Sequence, residues 1–218
     1  MTSLRRFADR RDAGRRLAAE LRDHDWVDPM VLALPRGGVP VAAEVAAALG
    51  APLEVFVARK IGAPGQPEFG IGAIAEGGHV VEDAQLLAQM RIDAEQFARR
   101  RDAEFAELQR RVQRYRGERA IPDLHGRDVV LVDDGLATGR TAAAALVALR
   151  SLGARSLILA VPVCAPGSRA RLAGLADEII TVLEPGRFTA VGQWYDHFDQ
   201  TTDDEVVASL QRARITNP

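Results

Sequence analysis

Residues 129–141 read VVLVDDGLATGRT. Four apolar residues run into the adjacent Asp133 and Asp134. A small glycine-containing loop follows, and Thr138, Gly139, Arg140 and Thr141 lead into an alanine-rich helix. A short apolar run bounded by turn residues is the pattern of a strand buried on both faces in a parallel sheet. Open α/β sheets bind ligands beyond the carboxyl ends of their strands, and the two aspartates lie at that end. Gly139 and the amides around it open the next helix, a ready anion site, to which the hydroxyls of Thr138 and Thr141 add donors. Carboxylates suited to hydroxyls or a metal thus stand beside a cradle for phosphate, a pairing that fits a sugar phosphate.

Acidic pair, spacing and TGxT together make the stretch resemble the phosphoribosyl-pyrophosphate (PRPP) loop of type I phosphoribosyltransferases. The resemblance implies that Asp133 and Asp134 are catalytic, hold the ribose hydroxyls, and meet Mg²⁺ indirectly through substrate or water. It implies that Ala137, Thr138, Gly139, Arg140 and Thr141 wrap the 5′-phosphate. It also implies an α/β fold, a parallel-stranded sheet flanked by helices.

Upstream, residues 30–35 (MVLALP) form a first buried strand, followed by Arg36, Gly37 and Gly38 and an apolar helix over 39–49. Strand, paired glycines and helix N-terminus again make an anion nest, although a tight turn explains the glycines as well. The family binds pyrophosphate in a loop at this place, so Arg36, Gly37 and Gly38 are assigned to it. Residues 53–58 (LEVFVA) read as a second strand with Arg59 and Lys60 at its carboxyl end. The family's basic pair there contacts pyrophosphate, which makes both catalytic candidates; a solvated strand end is the alternative.

Residues 61–69 (IGAPGQPEF) hold two glycines and two prolines, which argues against a regular helix or a central strand. Residues 70–75 and 79–81 read as a hairpin turning at Gly77 and Gly78. In the family a mobile loop here closes over the reacting centre, which Glu68 and Glu76 could face. Residues 83–116 contain no glycine or proline and give a helical stripe ended by Gly117. One straight helix of that length would span about 50 Å, so a bent helix or helical excursion is expected. It departs from a minimal phosphoribosyltransferase. Arg99–Arg101, Arg110 and Arg111 alternate with acids and read as a salt-bridged surface.

Parallel-type strands at 156–163 and 178–183 alternate with helices. Phe188, Trp194, Tyr195 and Phe198 then concentrate aromatics. In many relatives a small hood over the sheet end holds the acceptor base, and Trp194 and Tyr195 are the candidates; they equally suit anchoring of the tail. Thr202 and Glu205 form a capping box for a closing helix. At the other end, residues 7–23 form an amphipathic helix whose arginines read as a solvated face. The whole is expected to be one domain over 1–218, with a helical insertion at about 84–117 and a hood or tail at about 185–218.

Composition narrows the classes. The chain has 218 residues, 47% apolar and 27% charged, and a net charge of −2. Nothing there suggests nucleic-acid binding. Of 28 basic residues, Lys60 is the sole lysine. Cys164 is the single cysteine, so no intrachain disulfide forms. No apolar run approaches the roughly 18 residues of a membrane span, and the N-terminus lacks a signal peptide's apolar core. A cytoplasmic protein and a homodimer are expected. His24, His79, His125 and His197 are scattered, which disfavours a histidine metal site.

The implied reaction is displacement at C1 of PRPP by a nitrogenous, purine-like base, releasing pyrophosphate, with Mg²⁺ as cofactor. Enzymes for 6-oxopurines usually place an aspartate where this chain has Ala137, so LATG looks closer to adenine-type loops. The competing expectations are a PRPP-sensing regulator without turnover and an interaction protein built on residues 84–116.

Overall fold

The valine-rich run at 129–132 is the core of the central strand of a five-stranded parallel sheet in the computed structural model, which describes residues 6–216. The strands are β1 (Met30–Ala33), β2 (Leu53–Val55), β3 (Ala58–Ala63), β4 (Gln66–Ala75), β5 (Val80–Glu82), β6 (Asp128–Val132), β7 (Ser156–Val163) and β8 (Glu178–Leu183). The helices are α1 (Arg10–Glu20), α2 (Gly38–Leu49), α3 (Ala84–Gln89), α4 (Ala94–Arg116), α5 (Arg140–Ser151), α6 (Ser168–Leu172) and α7 (Asp203–Thr216). The main sheet runs β2-β1-β6-β7-β8 and is parallel throughout. Parity sorts its side chains: Val130 and Val132 join the core under α1, α2 and α7, whereas Val129 and Leu131 join the core under α5. Cover on both faces is why β6 tolerates no polar alternation. Each such side chain contributes about 1.5–3 kcal/mol by burial.

The chain reverses its winding between β1 and β6, which places a topological switch point between those strands. Register pairs Ala33 with Val132. The loops leaving β1 and β6 therefore start side by side at the same level.

Two regions differ from the sequence expectation. The strand expected over 53–58 ends at Val55; Ala58 begins a second sheet, antiparallel, ordered β3-β4-β5. Residues 61–69, expected to be irregular, form the end of β3, the turn and the start of β4 in the β3–β4 hairpin, with Gly65 at φ 72° in the turn. Pro67 fits because the ladder bulges beside it: register shifts on either side of Gly62, and β5 reaches only Gly72–Ile74. The hairpin at 70–81 is present as β4–β5, turning through Gly77 and Gly78.

The helical stretch at 83–116 is an excursion of two helices. Asp83 caps α3, Arg91 adopts φ 54°, and Asp93 and Gln96 form a capping box that starts α4. Phe97, Leu108 and Tyr115 are buried, and the Phe97 ring packs on Gly72 of β4. The Arg116–Glu76 ion pair, 4% and 10% exposed, fastens the end of α4. Among the described residues no helix is long and apolar enough to cross a membrane.

Candidate functional site

The loop after β1 lies on the acidic pair after β6. A Cβ at Gly37 would stand 1.9 Å from Asp134 Oδ2, and one at Gly38 would stand 2.7 Å from the Val132 carbonyl oxygen. Only glycine permits this approach. The Pro35–Arg36 peptide is cis.

Asp134 is the most connected residue of the site. Arg10 Nε donates to its Oδ2 at 2.9 Å, and Tyr195 Oη donates to its carbonyl oxygen at 2.5 Å. Its backbone N–H donates to Asp133 Oδ1 at 2.8 Å. Burial raises both carboxyl pKa values; the charge of Asp134 adds to the rise at Asp133, while Arg10 opposes it at Asp134. Two carboxylates held together at this depth favour hydroxyls, which donate hydrogen bonds to them, or a hard cation, which they ligate.

Arg10 is a residue that the sequence reading missed. Far from a solvated face, its side chain is 11% exposed. Its Nη1 donates to the Asp199 carbonyl at 2.7 Å, and its guanidinium lies 3.9 Å from the Phe198 ring centroid. An arginine-rich helix of regular pattern carries no signal that singles it out.

The loop 137–141 is braced from α6. Ser168 Oγ donates to the Ala137 carbonyl, and Arg171 donates to the carbonyls of Ala137 and Thr138. In a trans peptide the next N–H points the opposite way, so the amides of Thr138 and Gly139 face away from α6. Gly139, at φ 76°, caps α5, whose first amides lack helical partners. Arg140 is tied to Asp83 at 2.7 Å, a contact that, after the Leu86 amide, holds the Asp83 carboxyl below its ordinary pKa.

Arg59 and Lys60 do not share a rim. Strand alternation sends them to opposite faces of β3. Arg59 Nε bonds Glu104 Oε2 of α4 at 2.6 Å, with Glu107 at 3.8 Å. The Lys60 stem instead lies toward Gly70, near Arg140. Arg36 stands 3.7 Å from Asp203. Glu76 does not point at a reacting centre: it accepts from Val57 N at 2.6 Å and pairs with Arg116. The Glu68 side chain lies outside the described residues.

Tyr195 is 4% exposed, with ring centroids of Phe7 at 5.3 Å and Phe198 at 4.9 Å. A ring so covered anchors the 191–198 segment rather than offering a face to a base. Trp194 is half-buried against the same cluster, and its carbonyl accepts from Phe7 N at 2.8 Å. Cys164 is buried, its thiol pKa pushed up by that burial, which suits packing and not nucleophilic attack.

The family model for the phosphoribosyl transferase domain matches residues 5–185. A protein found in two strains of Mycobacterium tuberculosis, provisionally named a phosphoribosyl transferase, is 49% identical over 207 residues. The match covers 95% of this chain and 47% of that protein, so the chain spans about half the length of these curated relatives. The crystal structure of TT1426 from Thermus thermophilus aligns with a TM-score of 0.80 and 44% identity, covering 95% of this chain and 98% of that one. A Neisseria gonorrhoeae protein solved with bound ppGpp shares the fold, at a TM-score of 0.50 and 16% identity, covering 94% and 93%.

Proposed function

The chain belongs to the phosphoribosyltransferase family, and on that premise we propose that it transfers the 5-phosphoribosyl group of PRPP to a nitrogenous, purine-like base with release of pyrophosphate. One observation carries the reading: the glycine loop after β1 rests against the Asp134 carboxylate, so an anion nest and a hydroxyl-binding pair meet at the switch point.

In this reading Asp133 and Asp134 accept hydrogen bonds from the ribose hydroxyls. The amides of 137–141, with Thr138 and Thr141, hold the 5′-phosphate. Arg36, Gly37 and Gly38 hold pyrophosphate, joined by Arg59 of β3, while Lys60, on the other face of that strand, stands on the side of Arg140 and the 5′-phosphate loop. A base nitrogen bonds to C1 as the C1–O bond breaks, and that bond's electrons leave on pyrophosphate. Positive charge builds on the sugar ring, and the protein contributes position and fixed charge.

The residues present fit Mg²⁺. Their donors are the oxygens of two adjacent carboxylates at the end of β6, and this ion favours one or two carboxylates completed by substrate oxygens and water. Bound with PRPP, it would offset the charge of the departing pyrophosphate.

The exposed Ala137 supplies no carboxylate to the base, which puts adenine-like acceptors first. A second reading, a PRPP-binding regulator without turnover, draws on the internal acids that already hold Arg36, Arg59 and Arg140. A screen of bases for pyrophosphate release from PRPP with Mg²⁺ separates the two. Release with at least one base is expected; PRPP binding with no release for any base rejects the enzyme.

A further inference from the structure

Helix α4, the part of the chain that no substrate role explains, is wired to both cations of the leaving-group side. Arg59 is clamped by Glu104 and Glu107, three residues apart on one face of the helix. Glu107 is in turn held by Arg110 at 2.6 Å and Arg111 at 2.9 Å. Arg110 reaches Asp203 at 4.0 Å, Tyr115 Oη donates to Asp203 at 2.6 Å, and Asp203 stands 3.7 Å from Arg36. Charges thus alternate along one path, Arg36–Asp203–Arg110–Glu107–Arg59, with α4 as its backbone.

We propose that Glu104, Glu107 and Asp203 are specificity-determining residues: they occupy Arg59 and Arg36 as internal counter-anions, which a diphosphate displaces and a single phosphate group does not. This rests on the reading of Arg36 and Arg59 as pyrophosphate-side cations.

The argument is one of exchange. A carboxylate on the same chain competes at high effective concentration. Replacing an arginine–carboxylate pair by an arginine–phosphate pair trades one charge-assisted contact for another, with little net gain. A diphosphate carries two phosphoryl groups in one molecule, so one binding event can offset the loss of both internal pairs. The surrounding arginines keep the competitor charged: hydrogen bonding from Arg110, more than its charge, pulls the Glu107 pKa down to about 2.

The test titrates inorganic pyrophosphate, and separately ribose 5-phosphate, into the full chain by calorimetry. Glu104→Gln keeps an acceptor for Arg59 and removes the charge. It is expected to bind pyrophosphate about fivefold tighter, the scale of a part-exposed ion pair, with ribose 5-phosphate affinity unchanged. Asp203→Asn, acting from the Arg36 end, is expected to move pyrophosphate affinity the same way. Glu95→Gln makes the same charge change on the same helix, at an acid paired with Arg99 outside the network, and is expected to match the unmodified chain. Unchanged or weaker pyrophosphate binding in both network variants overturns the proposal, as does equal tightening by Glu95→Gln. An unmodified chain that binds no pyrophosphate overturns the underlying reading and the proposal with it.

Discussion

Asp134 sits beside Asp133, beneath a glycine loop, with 15% of its side chain exposed. A carboxylate in that setting needs a fixed counter-charge, and Arg10 supplies it from 124 residues away in sequence. Removing one partner of such a pair strands the other, at a cost of about 3 kcal/mol. Arg10→Ala is therefore expected to lower the free energy of unfolding by that amount, read as a lower urea midpoint at unchanged m. Arg10→Lys should recover only part of it, because one ammonium cannot reproduce the separate bonds to Asp134 and the Asp199 carbonyl. An unchanged midpoint in Arg10→Ala would sever this link. The same residue marks a limit of sequence reading. Asp133, Asp134 and the 137–141 loop were legible because strand, turn and helix start are local. Arg10 was not, because nothing within its own helix distinguishes an arginine that folds back on a distant carboxylate from one in water.

At the scale of elements, α4 illustrates the same divide. Its existence and its salt-bridged arginines were legible from pattern: Arg99 with Glu95, Arg110 and Arg111 with Glu107. The break at residues 90–93 was not, since no glycine or proline marks it. Arg91 takes the left-handed turn, and the Asp93–Gln96 box restarts the helix. Glu107 ties this helix to β3 and gives it a pH dependence. Its folded pKa of about 2 lies below its ordinary 4.5, through Arg110 first and then Arg111. A depressed carboxyl contributes stability above its unfolded pKa and loses it as pH falls through the folded value. The melting temperature of the unmodified chain should therefore exceed that of Glu107→Gln near neutrality. The gap should close between about pH 4.5 and pH 2. Because Glu107 is nearly a third exposed, solvent keeps the effect below about 1 kcal/mol. A gap that is constant across that range would mean that the Glu107 charge contributes nothing.

At the scale of the molecule, the site exists only because two βα units meet. β1 and β6 are about a hundred residues apart, yet they pair in register and deliver their loops to one point. Sequence showed each loop and, through the parallel-strand pattern, the edge they share. Of the second sheet it showed the β4–β5 hairpin but not β3 or the start of β4, because the chain leaves the main sheet at Phe56 with no turn residue, and because bulges shelter Pro67. That sheet carries Arg59 and Lys60 to opposite sides, a consequence of strand alternation that the adjacency of two cations hides. Gly37 is where the two units touch. A methyl group there would overlap the Asp134 carboxylate at 1.9 Å, so Gly37→Ala must push the loop or the aspartate aside. Strain of that kind costs about 1–3 kcal/mol. The unliganded melting temperature should accordingly fall by a few degrees while the fold persists. On the proposed function, PRPP should raise the melting temperature of the unmodified chain by binding only its folded form, and that upward shift should be lost in the variant because ribose and pyrophosphate groups no longer align. A PRPP-induced shift as large in Gly37→Ala as in the unmodified chain would mean that the two loops do not act as one site, and the pairing of β1 with β6 would then serve the fold alone.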